Sequence, residues 1–252
     1  MELFIVSLAS LFAGFIDSIV GGGGLILVPA LFAVFPTAPP ATLFGTNKGA
    51  SVWGTAFATL QFSRRVEMRW AALLPAAVAG FVAAFAGAWL VTVVSPNFLR
   101  KVLPLVLLAV LVYTLFKKDL GRTHAPRFSG TKEVYVASAI GAGIGFYDGF
   151  FGPGTGSFLV FLFVRLMGYD FLSASASAKL INTCTNVASL VLFIAKGHIW
   201  WHFVLAMALA NVVGSLLGTR LALKHGTGFV RVVFIGVVSA LIFKTGYDAF
   251  VR

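Results

Sequence analysis

Long apolar stretches alternate along this chain with short polar interruptions. Residues 18–47, 70–99 and 197–219 contain no Asp, Glu, Lys or Arg. A helix needs about 20 apolar residues to cross the hydrocarbon of a bilayer, and each run is long enough. The pattern predicts an opening apolar segment at 3–20 and another at 134–151. Each meets a glycine cluster and is followed by a short apolar segment, at 25–35 and 157–167. Longer spans are predicted at 42–62 and 173–195, and closing spans at 70–93, 98–116, 200–222 and 228–246. The expected fold is an all-α integral membrane bundle of about eight spans, rising to about ten elements if the short segments also enter the bilayer.

The order of landmarks repeats. Gly14-Phe15-Ile16-Asp17 returns as Gly145-Phe146-Tyr147-Asp148, a displacement of 131 (148 minus 17). The same displacement carries Lys48 to Lys179, Phe62 to Phe193, Trp70 to Trp201, Gly87 to Gly218, Phe98 to Phe229 and Arg100 to Arg231. One offset held over so many positions marks a duplication. The division expected is a first repeat at 1–117, a basic cytoplasmic linker at 118–132 and a second repeat at 133–252. Inverted repeats are common among secondary transporters, and the expectation leans that way. The loop charges themselves do not distinguish inverted from parallel repeats.

Composition strengthens the membrane reading and changes how the charge is read. Of 252 residues, 59% are hydrophobic and 11% charged, with a mean hydropathy of +0.97. A soluble domain carries about 25% charged residues. The net charge of +11 comes from 19 basic and 8 acidic residues. The basic residues cluster in connections, as in Arg64, Arg65 and Arg69, or Lys117, Lys118, Arg122, Arg127 and Lys132. Such clusters hold loops on the cytoplasmic side; no nucleic-acid motif accompanies them. The start, Met1-Glu2-Leu3, lacks the basic region of a cleaved signal, and the first apolar segment is expected to be retained. Cys184 is the lone cysteine and is read as an apolar filler.

Chemistry concentrates at the interruptions. Gly21–Gly24 and Gly152-Pro153-Gly154-Thr155-Gly156 cannot continue a stable helix, because each glycine costs up to ~1 kcal/mol relative to alanine and Pro153 removes a donor. Unwound backbone at membrane depth is tolerated only within protein or beside a water-filled cavity. Paired breaks at matching places point to a transport site, and the helix ends they create face an anion with free N–H groups. Gly22, Gly23, Gly24, Gly154 and Gly156 are therefore candidate binding positions. Asp17 and Asp148 lie just ahead of the breaks, where a carboxylate costs at least ~2.5 kcal/mol. Capping and pairing are favoured for them over proton carriage. Lys48, preceded by Thr46 and Asn47, and Lys179, followed by Asn182, Thr183, Thr185 and Asn186, are the candidate anion contacts. Asn182 and Asn186 share a helix face, which makes Lys179 the stronger of the two; for Lys48, snorkelling to the headgroups is an equal reading. His198 and His202, beside Trp200 and Trp201, read as an interfacial belt rather than a metal site, so no metal and no cofactor are expected.

These residues carry a resemblance. The first glycine cluster with Leu25-Ile26-Leu27-Val28-Pro29 and Gly45-Thr46-Asn47-Lys48 is similar to the first half of the sulfite exporter TauE/SafE family, also called the toluene sulfonate uptake permeases. The second cluster, with Ala178-Lys179-Leu180-Ile181-Asn182 and Asn186, is similar to its second half. The chain departs from that pattern at Thr155, where a further glycine is usual, and at Phe161, where proline is frequent. The resemblance implies a multi-pass transporter of the cytoplasmic membrane. It also implies a sulfur oxyanion or sulfonate substrate, usually exported without ATP. No GxxxxGK[ST] loop is present, so energy would come from a gradient or a partner. The expected partners are a small anion and membrane lipid, with homo-oligomerisation open and nucleic acid excluded. A passive anion channel is the alternative; an intramembrane aspartyl protease, suggested by Tyr147-Asp148 and Pro29-Ala30-Leu31, is a weaker one. No enzyme activity is expected.

Overall fold

The structure, a computed structural model, describes residues 1–95, 97–99 and 125–250, with 231 and 234–250 described as backbone alone. Most of the expected span at 98–116, together with Arg100, Lys117, Lys118, Arg122 and the linker up to 124, lies outside the described residues. The described residues are helical throughout, with loops between, and contain no strand.

In the first half, α1 covers Glu2–Val20, α2 Gly24–Val34, α3 Pro40–Ser63 and α4 Trp70–Val93. In the second half, α5 covers Gly130–Phe150 and α6 Thr155–Leu162, continued by a π turn at Phe163–Met167. Two long elements follow, α7 at Phe171–Ala195 and α8 at Trp201–Phe250. Gly226, at φ 68 and ψ −161, kinks α8, so the spans expected at 200–222 and 228–246 meet without a separate loop. Helices α1, α4, α7 and α8 up to Val230 are long and apolar enough to cross a membrane. Helix α3 has 24 residues and α5 has 21, but both dilute their apolar content with polar residues, of which Thr42, Thr46, Asn47, Lys48 and Thr55 in α3 and Glu133 and Asp148 in α5 are buried. At 1.5 Å per residue, 24 residues make about 36 Å, more than the hydrocarbon core.

The direction of each helix follows from its contacts. Along α3, Thr42, Lys48, Thr55 and Thr59 meet His198, Asn186, Asn186 and Thr183, so α3 and α7 run antiparallel. Along α1, Ser10, Gly14 and Ser18 meet Met207, Asn211 and Gly218, so α1 and α8 run parallel. Helix α4 runs parallel to α5, Ala76, Gly80 and Ala84 lying against Gly141, Gly145 and Gly149. Gly49 and Gly54 of α3 lie on Val204 and Asn211 of α8, again parallel. The pair α1/α8 is the pair α5/α4 displaced by 131 residues. Helices α3 and α7 are likewise counterparts, yet opposed in direction. The two halves are therefore inverted relative to one another, with α3 and α7 crossing at their common axis.

Small residues make this possible. Gly141, Gly145 and Gly149 recur every four residues and press α5 onto the backbone of α4, the close packing that replaces the hydrophobic effect inside lipid. Large apolar side chains such as Trp53, Leu74, Trp89, Leu205 and Leu209 are exposed on the outside, as a lipid-facing surface requires.

Helix direction also sorts the charges. The end shared by the α3–α4 connection, the starts of α5 and α7 and the kink of α8 carries Arg64, Arg65, Arg69, Arg127, Lys132, Arg165, Arg220 and Lys224. Lys196, just past the end of α7, lies at the opposite end. At the basic end, Arg69 donates from Nε and Nη2 to Glu133, the latter bond 2.7 Å, and Tyr169 donates to the same carboxylate at 2.7 Å. The Glu133 hydrogen bond keeps the Arg69 guanidinium protonated beyond its ordinary range. Burial, then Glu133, pushes the Tyr169 phenol well up.

Candidate functional site

The two glycine clusters interrupt the helices as the residue types require. Gly21 ends α1 at φ 79, and its N–H returns to Asp17 O at 2.8 Å. Helix α2 then starts at Gly24 without a side-chain cap. In the second half Gly152 and Gly154 take φ of 84° and 83°, and α6 starts at Thr155, also without a side-chain cap. Tyr147 pins this break by donating to Pro153 O at 2.5 Å, and Thr155 Oγ1 closes it onto Gly152 O at 2.8 Å.

The breaks meet. Ser157 N donates to Gly21 O at 3.0 Å, and Ser157 Oγ donates to Val20 O at 3.0 Å. Gly21 and Gly156 lie backbone against backbone, so closely that a Cβ on either would collide with the other. At this depth, unwound peptide groups satisfy one another across the halves.

Around this contact two ion pairs cross between the halves. Lys48 Nζ lies 2.6 Å from Asp148 Oδ2, and Lys179 Nζ lies 3.3 Å from Asp17 Oδ2 while also donating to Asp17 O. The displacement of 131 exchanges one pair for the other, aspartate for aspartate and lysine for lysine. Their surroundings differ. Asp17 also accepts from Gly23 N at 3.3 Å, and Lys179 is wholly buried. Lys48, 3% exposed, donates in addition to Asn186 Oδ1 at 2.9 Å. Snorkelling of Lys48 is thereby overturned: its ammonium ends on a buried carboxylate. Asn186 Nδ2 in turn donates to Thr55 Oγ1 at 3.4 Å, and Thr55 is the counterpart of Asn186.

A small polar cavity, open on one side, lies beside the breaks. Of the positions expected from sequence, Asp17, Gly23, Gly24, Asn47, Lys48, Asp148, Gly156, Asn182 and Asn186 line it. Gly22, Gly154 and Lys179 do not; Lys179 sits behind Asp17. The favoured lysine of the sequence reading is thus the sealed one, and Lys48 faces the cavity. Ser51, Thr55 and Asn211 also line the wall and were not anticipated. Ser51 and Thr55 were within reach, since subtracting 131 from Asn182 and Asn186 lands on them. Asn211 stood alone in an uncharged run, and its amide donates to Ser10 O at 3.0 Å.

The wall holds unpaired donors and an unpaired acceptor. The first-turn amides of Gly24 and Gly156 have no carbonyl partner among the described residues, as expected of helix starts. Asn47, 4% exposed, has an amide oxygen with no hydrogen-bond partner; a buried polar atom left so costs ~1–3 kcal/mol. Elsewhere, His198 Nδ1 contacts Thr42 Oγ1 at 3.3 Å, and no cluster of metal-ligating side chains occurs among the described residues. The two aspartates each hold a lysine rather than each other, which is not the shared-proton arrangement a carboxylate dyad needs.

Comparison with known proteins agrees with this architecture. Residues 6–245 match the family model described as sulfite exporter TauE/SafE. The probable membrane transporter protein YfcA of Escherichia coli (strain K12) is 36% identical over 248 residues, 98% of this chain and 90% of that protein. ORF9 of Sinorhizobium sp, a probable membrane transporter protein, is 36% identical over 94% of this chain and 89% of its own length. A probable membrane transporter protein of Haemophilus influenzae is 33% identical over 98% of both chains. No solved structure matches.

Proposed function

From the premise that the chain belongs to the sulfite exporter TauE/SafE family, and so is a multi-pass membrane transporter rather than an enzyme, we propose that its cargo is a small oxyanion bound between the two breaks. The observation that carries this reading is the donor set of the cavity. Lys48 supplies a buried charge, the starts of α2 and α6 supply amides, and Asn47 and Asn182 supply side-chain amides. Helix starts carry partial positive charge and cradle anions, and charge-assisted bonds to oxyanions are about twice as strong as neutral ones. Sulfite, thiosulfate or a sulfonate fits this chemistry, and the family description supports the sulfur oxyanions among these. Export is the direction favoured by that same description, with no nucleotide consumed. The repeat bounds 1–117 and 133–252 remain the division we adopt.

The proposed orientation places the Arg69 end in the cytoplasm, because short connections rich in Lys and Arg are retained there and eight such residues cluster at that end. The membrane is then the cytoplasmic one, with Lys196 and the start of α1 on the far side.

The test is uptake of radiolabelled sulfite, thiosulfate and toluenesulfonate into proteoliposomes. Wild type is expected to move at least one of them, saturably. Lys48→Gln is expected to lower that uptake at least about tenfold, the scale of one lost charge-assisted bond. Asn182→Ala is expected to raise the apparent KM several-fold. Unchanged transport in both variants would remove the site, and large unitary currents would replace the carrier by a channel.

A further inference from the structure

The four charges around the breaks, three of them buried, sum to zero, and this limits what can bind there. Asp17 and Asp148 face Lys48 and Lys179 one to one. An anion that reaches Lys48 must share it with Asp148, leaving two negative groups on one lysine at low dielectric. Like charges so placed repel far more strongly than in water, and a buried carboxylate that loses its counter-charge neutralises instead.

We propose that the Lys48–Asp148 pair is a coupling site: Asp148 takes up one proton as the anion takes Lys48, and the two cross together. This rests on the anion reading above. The surroundings single out Asp148 over Asp17. Asp17 keeps a backbone N–H from Gly23 and the wholly buried Lys179 whatever happens at Lys48. Asp148, 1% exposed, has Lys48 as its counter-charge, and among the described residues no hydroxyl or amide donates to its Oδ2. The other groups near it do not compensate. Tyr147 beside it is turned to Pro153 O. Helix α4 packs on α5 through Ala76, Gly80 and Ala84, and brings no charge there. Helix α6 presents Thr155 and Gly156 to the cavity. Lys48, by contrast, has a second anchor in Asn186 Oδ1 at 2.9 Å and stays in place when the carboxylate lets go. The balance is one proton taken from water onto an Asp148 oxygen on one side and returned to water on the other. The anion is held by Lys48 between, and no bond of the cargo changes.

The experiment uses the full chain in proteoliposomes, with p-toluenesulfonate as probe because a sulfonate stays ionised and carries no proton itself. One proton per anion is expected. An imposed gradient of one pH unit, acid outside, then accumulates the probe about tenfold, independent of membrane potential, and the same coupling permits export only where the internal anion excess is greater than that ratio. Asp148→Asn is expected to lose pH-driven accumulation, with whatever sulfonate counterflow remains no longer responding to pH, Asp148→Glu to keep accumulation, and Lys48→Gln to lose counterflow and accumulation alike. If the probe enters without proton movement, or Asp148→Asn accumulates it as wild type does, the coupling falls while the anion site stands. If wild type moves no sulfonate in either assay, the anion reading falls and takes the coupling with it. Should Asp148→Asn not fold, the wild-type proton-to-anion ratio decides alone.

Discussion

Buried charges at single residues set the sharpest energetic constraints in this protein. Removing one partner of a buried ion pair costs about 3–5 kcal/mol, whereas replacing both can be nearly neutral. Lys179→Met is accordingly expected to lower stability by about that much. Adding Asp17→Asn is expected to recover most of the loss, because no unpaired charge is then left inside. Denaturant midpoints in detergent check both. At the helix surface, Asp170 caps α7, accepting from Leu172 N at 2.8 Å and Ser173 N at 3.0 Å, and ties in Thr227 beside the α8 kink at 3.0 Å. Burial works against its charge, but the bonds from Ser173, Thr227 and Leu172 outweigh it and hold the carboxyl below its ordinary range. A lowered folded pKa contributes stability above the unfolded value, about pH 4, and loses it as pH falls through the folded value. Asp170→Ala is expected to cost about 1–2 kcal/mol at neutral pH, and the melting temperatures of variant and wild type should converge in acid.

Elements act through the breaks and through the helices that face each other across them. Gly21 and Gly156 touch where neither can carry a side chain, and Gly21 also needs its φ of 79°. Gly156→Ala is expected to destabilise by about 1–3 kcal/mol, the scale of overpacking in a tight core, and Gly21→Ala by more, since it adds left-handed strain of about 1–2 kcal/mol. Thermal unfolding of both variants measures the difference. The positions of the breaks were legible because contiguous glycine is incompatible with helix. Their mutual contact was not, because Ser157 and Gly21 lie far apart in sequence and nothing local records the bonds between them.

Over the whole molecule, inversion of the halves determines which end is basic. Read along the chain, the loop charges left the topology open; once α3 and α7 are antiparallel, eight lysines and arginines fall at one end. In a Cys184→Ser background, Gly197→Cys is expected to react with a membrane-impermeant maleimide in intact cells. Ser129→Cys is expected to react only after permeabilisation. The reverse pattern would invert the proposed orientation. Asymmetry also belongs to this scale: the tie of Arg69, Tyr169 and Glu133 closes the basic end, while the positions displaced by 131 are Trp200, Ala38 and Glu2.

Local physics accounts for what was readable in the amino-acid order. Hydrocarbon length dictated the spans, helix-incompatible glycine dictated the breaks, and a constant displacement exposed the duplication. Burial of Asp148, and partial burial of Asp17, followed from their apolar neighbours. Which lysine meets which aspartate, and which of the two pairs faces the cavity, depended on tertiary structure alone. Duplication makes Lys48 and Lys179 equivalent in sequence, and only packing across the inverted halves breaks that equivalence, sealing Lys179 behind Asp17 and turning Lys48 toward the cavity.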